Sequence, residues 1–279
     1  MIVPVWEDEP APTRRVAAVT GASAGVGRAT AVALGALGWT VAVGARRRDR
    51  LDETAALVEQ AGGVPFVHEL DVTDHESVER FFDAVEGVHG VVDVLVNNAG
   101  LGYLGSIAGT TPARMRGAVE TNLLGALFCS RRATAAMLER GGDGDVVFIS
   151  SDSVQKPYPH MLVYGATKAA VEYVAAGLDV ELGGTGIRVS TIRLGPTVSE
   201  FNTSWPDEDT IDFMHAYERL GIKEDFNYLP VAHVARAVVM AVTAPKGMKV
   251  SLLSVRPEVT RTQDERTRWS TAATQGRED

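Results

Sequence analysis

Residues 16–27 read V-A-A-V-T-G-A-S-A-G-V-G, a short apolar run that gives way to three glycines before a helical pattern begins. Val16-Ala17-Ala18-Val19 reads as a buried strand. Thr20 to Gly27 is then a turn into a helix running through Ala29 to Leu37, which stops near Gly38. Glycines here permit a tight bend. They also let a pyrophosphate approach a helix N-terminus, where backbone N–H groups and the macrodipole favour anions. Three residues separate the first two glycines, against one in the usual Gly-x-Gly-x-x-Gly loop. A plain strand-to-helix turn of small residues is the competing reading, weakened by the position directly after the first strand.

Outward from this stretch the pattern repeats. A second strand, Thr40 to Gly44, leads to the basic corner Arg46-Arg47-Arg48 and a helix over about Asp49 to Gln60. Strand three, about Val64 to Leu70, meets Asp71-Val72-Thr73-Asp74, where Thr73 or Asp74 caps a helix carrying Val78, Phe81, Phe82 and Val85. Val91 to Val96 is strand four, ending in Asn97-Asn98-Ala99-Gly100. A long helical pattern spans about Pro112 to Glu139. Strand five is Asp145 to Ile149, the next helix about Leu162 to Leu182, strand six Ile187 to Arg193 and strand seven Val250 to Val255.

Such alternation predicts an α/β fold: a single-domain, doubly wound parallel sheet of Rossmann type, about seven strands, with helices on both faces. The expected division is a flexible lead-in at 1–13, one domain at 14–257 with a substrate lid at about 196–229, and a polar tail at 258–279. Ligands in such sheets bind at the carboxyl ends of the strands. Gly21 to Gly27, Arg46, Asp71, Asn98, Ser151 and Gly195 all fall at those ends.

Composition narrows the class. The 279 residues are 45% hydrophobic and 23% charged, an ordinary globular balance, and the net charge of −9 argues against nucleic acid as partner. No apolar run approaches the ~18 residues of a membrane helix. The lone Cys129 reads as a small buried hydrophobe, which fits a reducing cytoplasm. Glu7, Asp8 and Glu9, with no basic region leading into an apolar one, do not make a secretion signal.

Two stretches carry chemistry. Tyr164 and Lys168 stand four apart at the start of a helical run, so phenol and ammonium share a face. A cation beside a phenol favours the phenolate. Ser151, at the end of the fifth strand, places a hydroxyl donor near the same point. By itself Tyr-x-x-x-Lys is also the pattern of a half-buried ring and a solvated ammonium on an amphipathic helix. Arg46 follows the second strand, where a dinucleotide's adenosine ribose sits; Ala45 stands in place of an acidic residue. An arginine there binds a 2′-phosphate, which favours NADP over NAD, although NAD remains possible. The competing reading of Arg46, Arg47, Arg48 and Arg50 is a solvated surface corner.

Thr20-Gly21-x-x-x-Gly25-x-Gly27, Asp71-Val72, Asn97-Asn98-Ala99-Gly100, Asn122, Ser151 and Tyr164-x-x-x-Lys168 together resemble the short-chain dehydrogenase/reductase family, over about Arg14 to Pro257. The resemblance implies an NAD(P)-dependent oxidoreductase acting on CH–OH groups. By it, Tyr164 is the general acid/base, Lys168 lowers the Tyr pKa and holds the nicotinamide ribose, Ser151 orients the reacting oxygen, and Asn122 supports a proton path behind Lys168. It also implies a cofactor cradle of Gly21, Ser23, Ala24, Gly25, Val26 and Gly27. Asp71 would meet the adenine amino group and Val72 its ring, with Asn98, Ala99 and Gly100 at the adenosine-side ribose. Thr197 and Ser199 would hold the carboxamide and phosphates. A homo-oligomer, dimer or tetramer, follows by the same resemblance. Leu194-Gly195-Pro196 departs from the family's usual Pro-Gly after strand six, and Val255-Arg256-Pro257 replaces its frequent Asp-Gly-Gly.

The expected substrate is a small carbonyl or alcohol compound with an apolar body. Phe201, Trp205, Phe213, Met214, Tyr217, Phe226 and Tyr228 can line its pocket, or equally pack a helical lid. Tyr158, His160 and Met161 lie where they can touch it. A metal site is not expected. The alternatives are an idle NADP-sensing regulator and a reductase of carbon–carbon double bonds.

Overall fold

The computed structural model describes residues 14–203, 205–221 and 227–258. The lead-in at 1–13, Phe226 and the tail from 259 lie outside them. Seven strands form one sheet in the order β3-β2-β1-β4-β5-β6-β7, and every pairing is parallel. The strands are β1 (Val16–Thr20), β2 (Thr40–Ala45), β3 (Val64–Glu69), β4 (Val94–Asn97), β5 (Gly144–Ser151), β6 (Ile187–Leu194) and β7 (Leu252–Val255).

Side chains alternate across the sheet. Ala18, Phe148 and Val146 pack with Phe81, Phe82, Met137 and Val171 of α3 (His75–His89), α5 (Gly125–Glu139) and α6 (Leu162–Glu181). Ala17, Val19, Val147 and Ile149 pack on the other side with Leu34, Leu51 and Val238 of α1 (Gly25–Gly35), α2 (Arg48–Gln60) and α9 (Val231–Val242). Covered on both faces, β1, β2, β4 and β5 are almost wholly buried, whereas β3 and β7 at the sheet edges are partly exposed.

Three differences from the expected pattern matter. Residues 112–139 are two α-helices, α4 (Pro112–Val119) and α5, joined by a π-helical turn at Glu120–Leu124 that carries Asn122. β5 runs on to Ser151, so the serine is held by the strand itself. The segment after β6 holds α7 (Glu200–Thr203) and α8 (Asp207–Arg219), and α9 follows it against α1. Of the two candidate caps on α3, Asp74 serves, its carboxylate accepting Glu76 N–H at 2.9 Å.

The chain winds outward from β1 to β3, then returns to β4 on β1's other side. The crevice at the carboxyl ends of β1 and β4 is therefore the topological switch point.

Candidate active site

At that crevice the loops after β1 and β4 are tied together. Thr20 Oγ1 accepts the N–H groups of Asn98 and Ala99 at 3.1 and 2.9 Å, and the Asn98 side-chain amide donates to Thr20 O and Gly21 O. The fit is tight. Gly21 has φ +66°, and a Cβ on it would lie 2.8 Å from Ala99 Cα. A Cβ on Gly27 would lie 2.4 Å from Gly21 O. Only glycine suits either place.

α1 starts directly behind this turn, and Ala24 gives it no side-chain cap. Its first-turn N–H groups are thus left for an anion. Beyond, at the end of β2, Arg46 is exposed and has no ion-pair partner among the described residues. Arg47 donates to Ser23 Oγ at 3.0 Å and to Glu200 Oε2 of α7 at 3.1 Å. Arg48 pairs with Asp52 and Arg50 with Glu53, so the basic corner divides into cavity-facing and surface members.

A cavity of about 560 Å³ joins this corner to the end of β5. Its lining includes Gly21, Ser23, Ala24, Gly25, Val26, Arg46, Asp71, Val72, Asn98, Ala99, Gly100, Ser151, Tyr164, Lys168, Thr197 and Ser199. Of the residues singled out from the sequence, Gly27 and Asn122 sit behind the wall. Asn122, 2% exposed, is fully engaged: Oδ1 accepts Leu101 N–H at 2.8 Å, while Nδ2 donates to Leu101 O at 2.8 Å and Thr167 Oγ1 at 2.9 Å. The π turn is what brings this amide between the loop after β4 and α6.

Tyr164 and Lys168 do share one face of α6, with Lys168 Nζ 5.8 Å from the Tyr164 ring. Lys168, 5% exposed, donates to Ile149 O at 2.8 Å. Burial lowers its pKa to about 8. Burial also pushes the Tyr164 phenol up to about 12; a hydrogen bond with Ser151 pulls it down, and the field of Asp152 adds to the rise. The lowering expected from the lysine is not among the causes of this shift. Desolvation disfavours either charged form, and here it is the larger effect.

The far end of the cavity is aromatic. Ring-to-ring contacts run from Tyr164 to Phe201 (5.1 Å), Trp205 (5.6 Å), Phe213 (6.4 Å), Tyr217 (4.7 Å) and Tyr158 (6.3 Å). Trp205 Nε1 donates to Gly102 O at 2.9 Å, fastening the lid to the loop after β4. Tyr228 and Met161 also line this end, whereas Met214 is exposed and His160 is not part of the lining. Sequence reasoning passed over Arg47 and Asp152, both in the wall. Arg47 differs from its neighbours only in where it points. Asp152 had one available signal, its place directly after Ser151.

The residues present fit a dinucleotide: a glycine cradle, an uncapped helix start and a cationic corner border one cavity. Comparison with known proteins decides the family. Residues 15–210 match the family model for short chain dehydrogenases. The chain belongs to the short-chain dehydrogenase/reductase family. It is accordingly an NAD(P)-dependent oxidoreductase.

Among relatives of this family member, dehydrogenase/reductase SDR family member 11 of Gallus gallus is 32% identical over 88% of the chain and 96% of its own length. Glycine betaine reductase ATRR of Emericella nidulans is 33% identical over 87% of the chain, but the chain spans only 19% of that protein. An alcohol dehydrogenase from the archaeon Thermococcus sibiricus, complexed with 5-hydroxy-NADP, superposes with a TM-score of 0.76 at 31% identity, covering 90% of this chain and 99% of that one.

Proposed function

We propose that the chain interconverts a carbonyl compound and a secondary alcohol with NADP as cofactor. The observation that carries this is one continuous cavity, walled at one end by the glycine turn and Arg46 and at the other by Ser151, Tyr164 and Lys168. The archaeal alcohol dehydrogenase, solved with an NADP derivative, supports the cofactor.

When bound, the nicotinamide cofactor would supply the hydride for reduction of the carbonyl carbon and take it up in the reverse direction. The chain's own groups handle the oxygen. Ser151 donates a hydrogen bond to it, and Tyr164 passes its phenolic proton across as the hydride arrives. The reverse reaction returns the proton to Tyr164. A phenol held at about 12 is protonated at neutral pH, ready to act as the acid in reduction. Lys168 would hold the ribose hydroxyls of the cofactor and so fix the reacting geometry. Asn122 positions the loop after β4 against α6. At the other end Arg46, with Arg47 and Ser23 beside it, binds the 2′-phosphate by charge-assisted hydrogen bonds.

Nicotinamide absorbance tests this with a panel of ketones, aldehydes, alcohols and enoyl compounds. Turnover of the carbonyl–alcohol couple with NADP is expected. Arg46→Asp should weaken NADP binding about tenfold or more, through loss of one charge-assisted contact, and spare or improve NAD. Equal NAD and NADP affinity in the unaltered protein would defeat the cofactor assignment.

A further inference from the structure

One carboxylate reaches the basic corner from a distant part of the chain. Glu200 opens α7, 153 residues beyond Arg47, and its Oε2 accepts the Arg47 guanidinium at 3.1 Å. The same guanidinium nitrogen donates to Ser23 Oγ of the glycine turn at 3.0 Å. The corner's other carboxylates belong to α2, where Asp52 pairs with Arg48 and Glu53 with Arg28 and Arg50. Those two stay outside the cavity lining, whereas Glu200 and Arg47 are both in it. Arg50, held above its ordinary pKa chiefly by Glu53, also feels the Glu200 charge.

The backbone that carries Glu200 is held in place. Thr197 pairs with Leu229 in a β-bridge, Val198 N–H donates to Leu229 O at 3.1 Å, and Leu229 N–H donates to Pro196 O at 2.8 Å. Ser199 then packs on the glycine turn, so closely that a Cβ on Gly25 would lie 3.2 Å from Ser199 Cβ. An anion arriving at Arg47 therefore meets a tethered negative neighbour. The Arg47–Glu200 pair is about half-exposed on both sides, so as an ion pair it holds weakly and a phosphate can displace it. The displaced carboxylate stays close, and like charges at short range weaken each other's binding. Arg46, with no ion-pair partner among the described residues, remains to hold the phosphate.

We propose that Glu200 sets the strength of the NADP preference by competing with the cofactor's 2′-phosphate for Arg47, an inference that rests on the placement of that phosphate at the Arg46–Arg47 corner. The carboxylate holds NADP affinity below what the arginines alone would give. NAD, which has a hydroxyl at the same position, escapes the competition. Glu200 is thus a positioning residue that acts through Arg47.

Calorimetry of NADP and NAD binding to the full chain tests this, since the two cofactors differ only by the 2′-phosphate. Glu200→Gln keeps the size of the side chain and removes its charge. It should tighten NADP binding at least about fivefold, the upper end for a half-exposed ion pair, and leave NAD within about twofold. In an Arg47→Gln background the same substitution should change NADP affinity less than about twofold. A merely structural contact would not produce that pattern. NADP binding that is unchanged or weaker in Glu200→Gln, an equal gain for both cofactors, or a gain that survives Arg47→Gln would overturn the inference. An NADP preference in the unaltered protein that Glu200→Gln leaves as it was would sink this inference and spare the cofactor assignment. Equal affinities in the unaltered protein would count against that assignment alone if Glu200→Gln then favours NADP at least about fivefold, and against both if it does not.

Discussion

At the scale of single residues, burial decides what Tyr164 and Lys168 are. The sequence shows a phenol and an ammonium four apart and implies that the cation acidifies the phenol. In the fold both groups lie deep, and each is pushed toward its neutral form. For Lys168 this has a measurable sign. Its folded pKa, about 8, is below the ordinary 10.5, so between those values the unfolded chain binds the extra proton. Stability therefore rises with pH across that window. Tyr164 acts oppositely and later: its folded pKa of about 12 exceeds the ordinary 10.0, so its contribution is lost only as pH climbs from about 10 to 12. Between pH 8 and 10 the lysine dominates. The melting temperature of the unaltered protein, relative to Lys168→Met, should climb over that interval, and a flat difference would show that Lys168 is not desolvated. Asp152 belongs to the same lesson. In sequence it is a polar residue in a loop; in the fold it is buried and accepts the Tyr158 hydroxyl.

At the scale of elements, α6 is the bar on which the site is mounted. Tyr164, Lys168 and Glu172 succeed each other at intervals of four along it. Glu172 locks the bar to the sheet: it accepts Ser150 Oγ at 2.7 Å and the Arg193 guanidinium at 2.8 and 2.6 Å. Ser150 and Arg193 are register partners on β5 and β6. Glu172→Ala would leave Arg193, 8% exposed, without its carboxylate, at a cost of about 3 kcal/mol. Urea unfolding should show that loss and a smaller one for Glu172→Gln; a loss below about 1 kcal/mol for the alanine variant would mean the pair is idle.

Much of this element plan was legible beforehand, because β1 to β6 and their helices carry strong apolar periods and glycine stops. What escaped had physical reasons. A π turn adds one residue to a helix without breaking its apolar pattern, so Glu120–Leu124 hid inside the run from Pro112. α9, V-A-H-V-A-R-A-V-V-M-A-V, follows the lid insertion, and only its packing on α1 fixes its place in the domain. The glycine turn and the Ser151–Tyr164–Lys168 group could be singled out because their residue types and spacing form a pattern, and the fold brings them to one cavity. Arg47 could not, because the direction of a side chain leaves no mark in sequence, and Asp152 was marked only by its place directly after Ser151.

At the scale of the whole molecule, the two ends of the sheet use charge differently. At the amino end, Asp145 is 1% exposed and clamped between Arg15 at 2.6 Å and Arg188 at 2.8 Å, while Asp93 takes Arg140 at 2.6 Å. These groups satisfy one another and hold strands together. At the carboxyl end Arg46, the α1 N-terminus and Tyr164 face a shared cavity. That asymmetry is the whole-molecule signature of a binding edge in a parallel sheet. It makes one demand of function: the cofactor end and the reacting end must be separable by substitution. The most direct measurement is Tyr164→Phe, comparing NADPH-dependent reduction of a carbonyl substrate with NADPH affinity by fluorescence. Reduction should fall at least about a hundredfold, the lower bound for losing a general acid, with affinity unchanged within about threefold. Turnover retained with affinity intact would contradict the assignment of Tyr164 as the group that moves the proton.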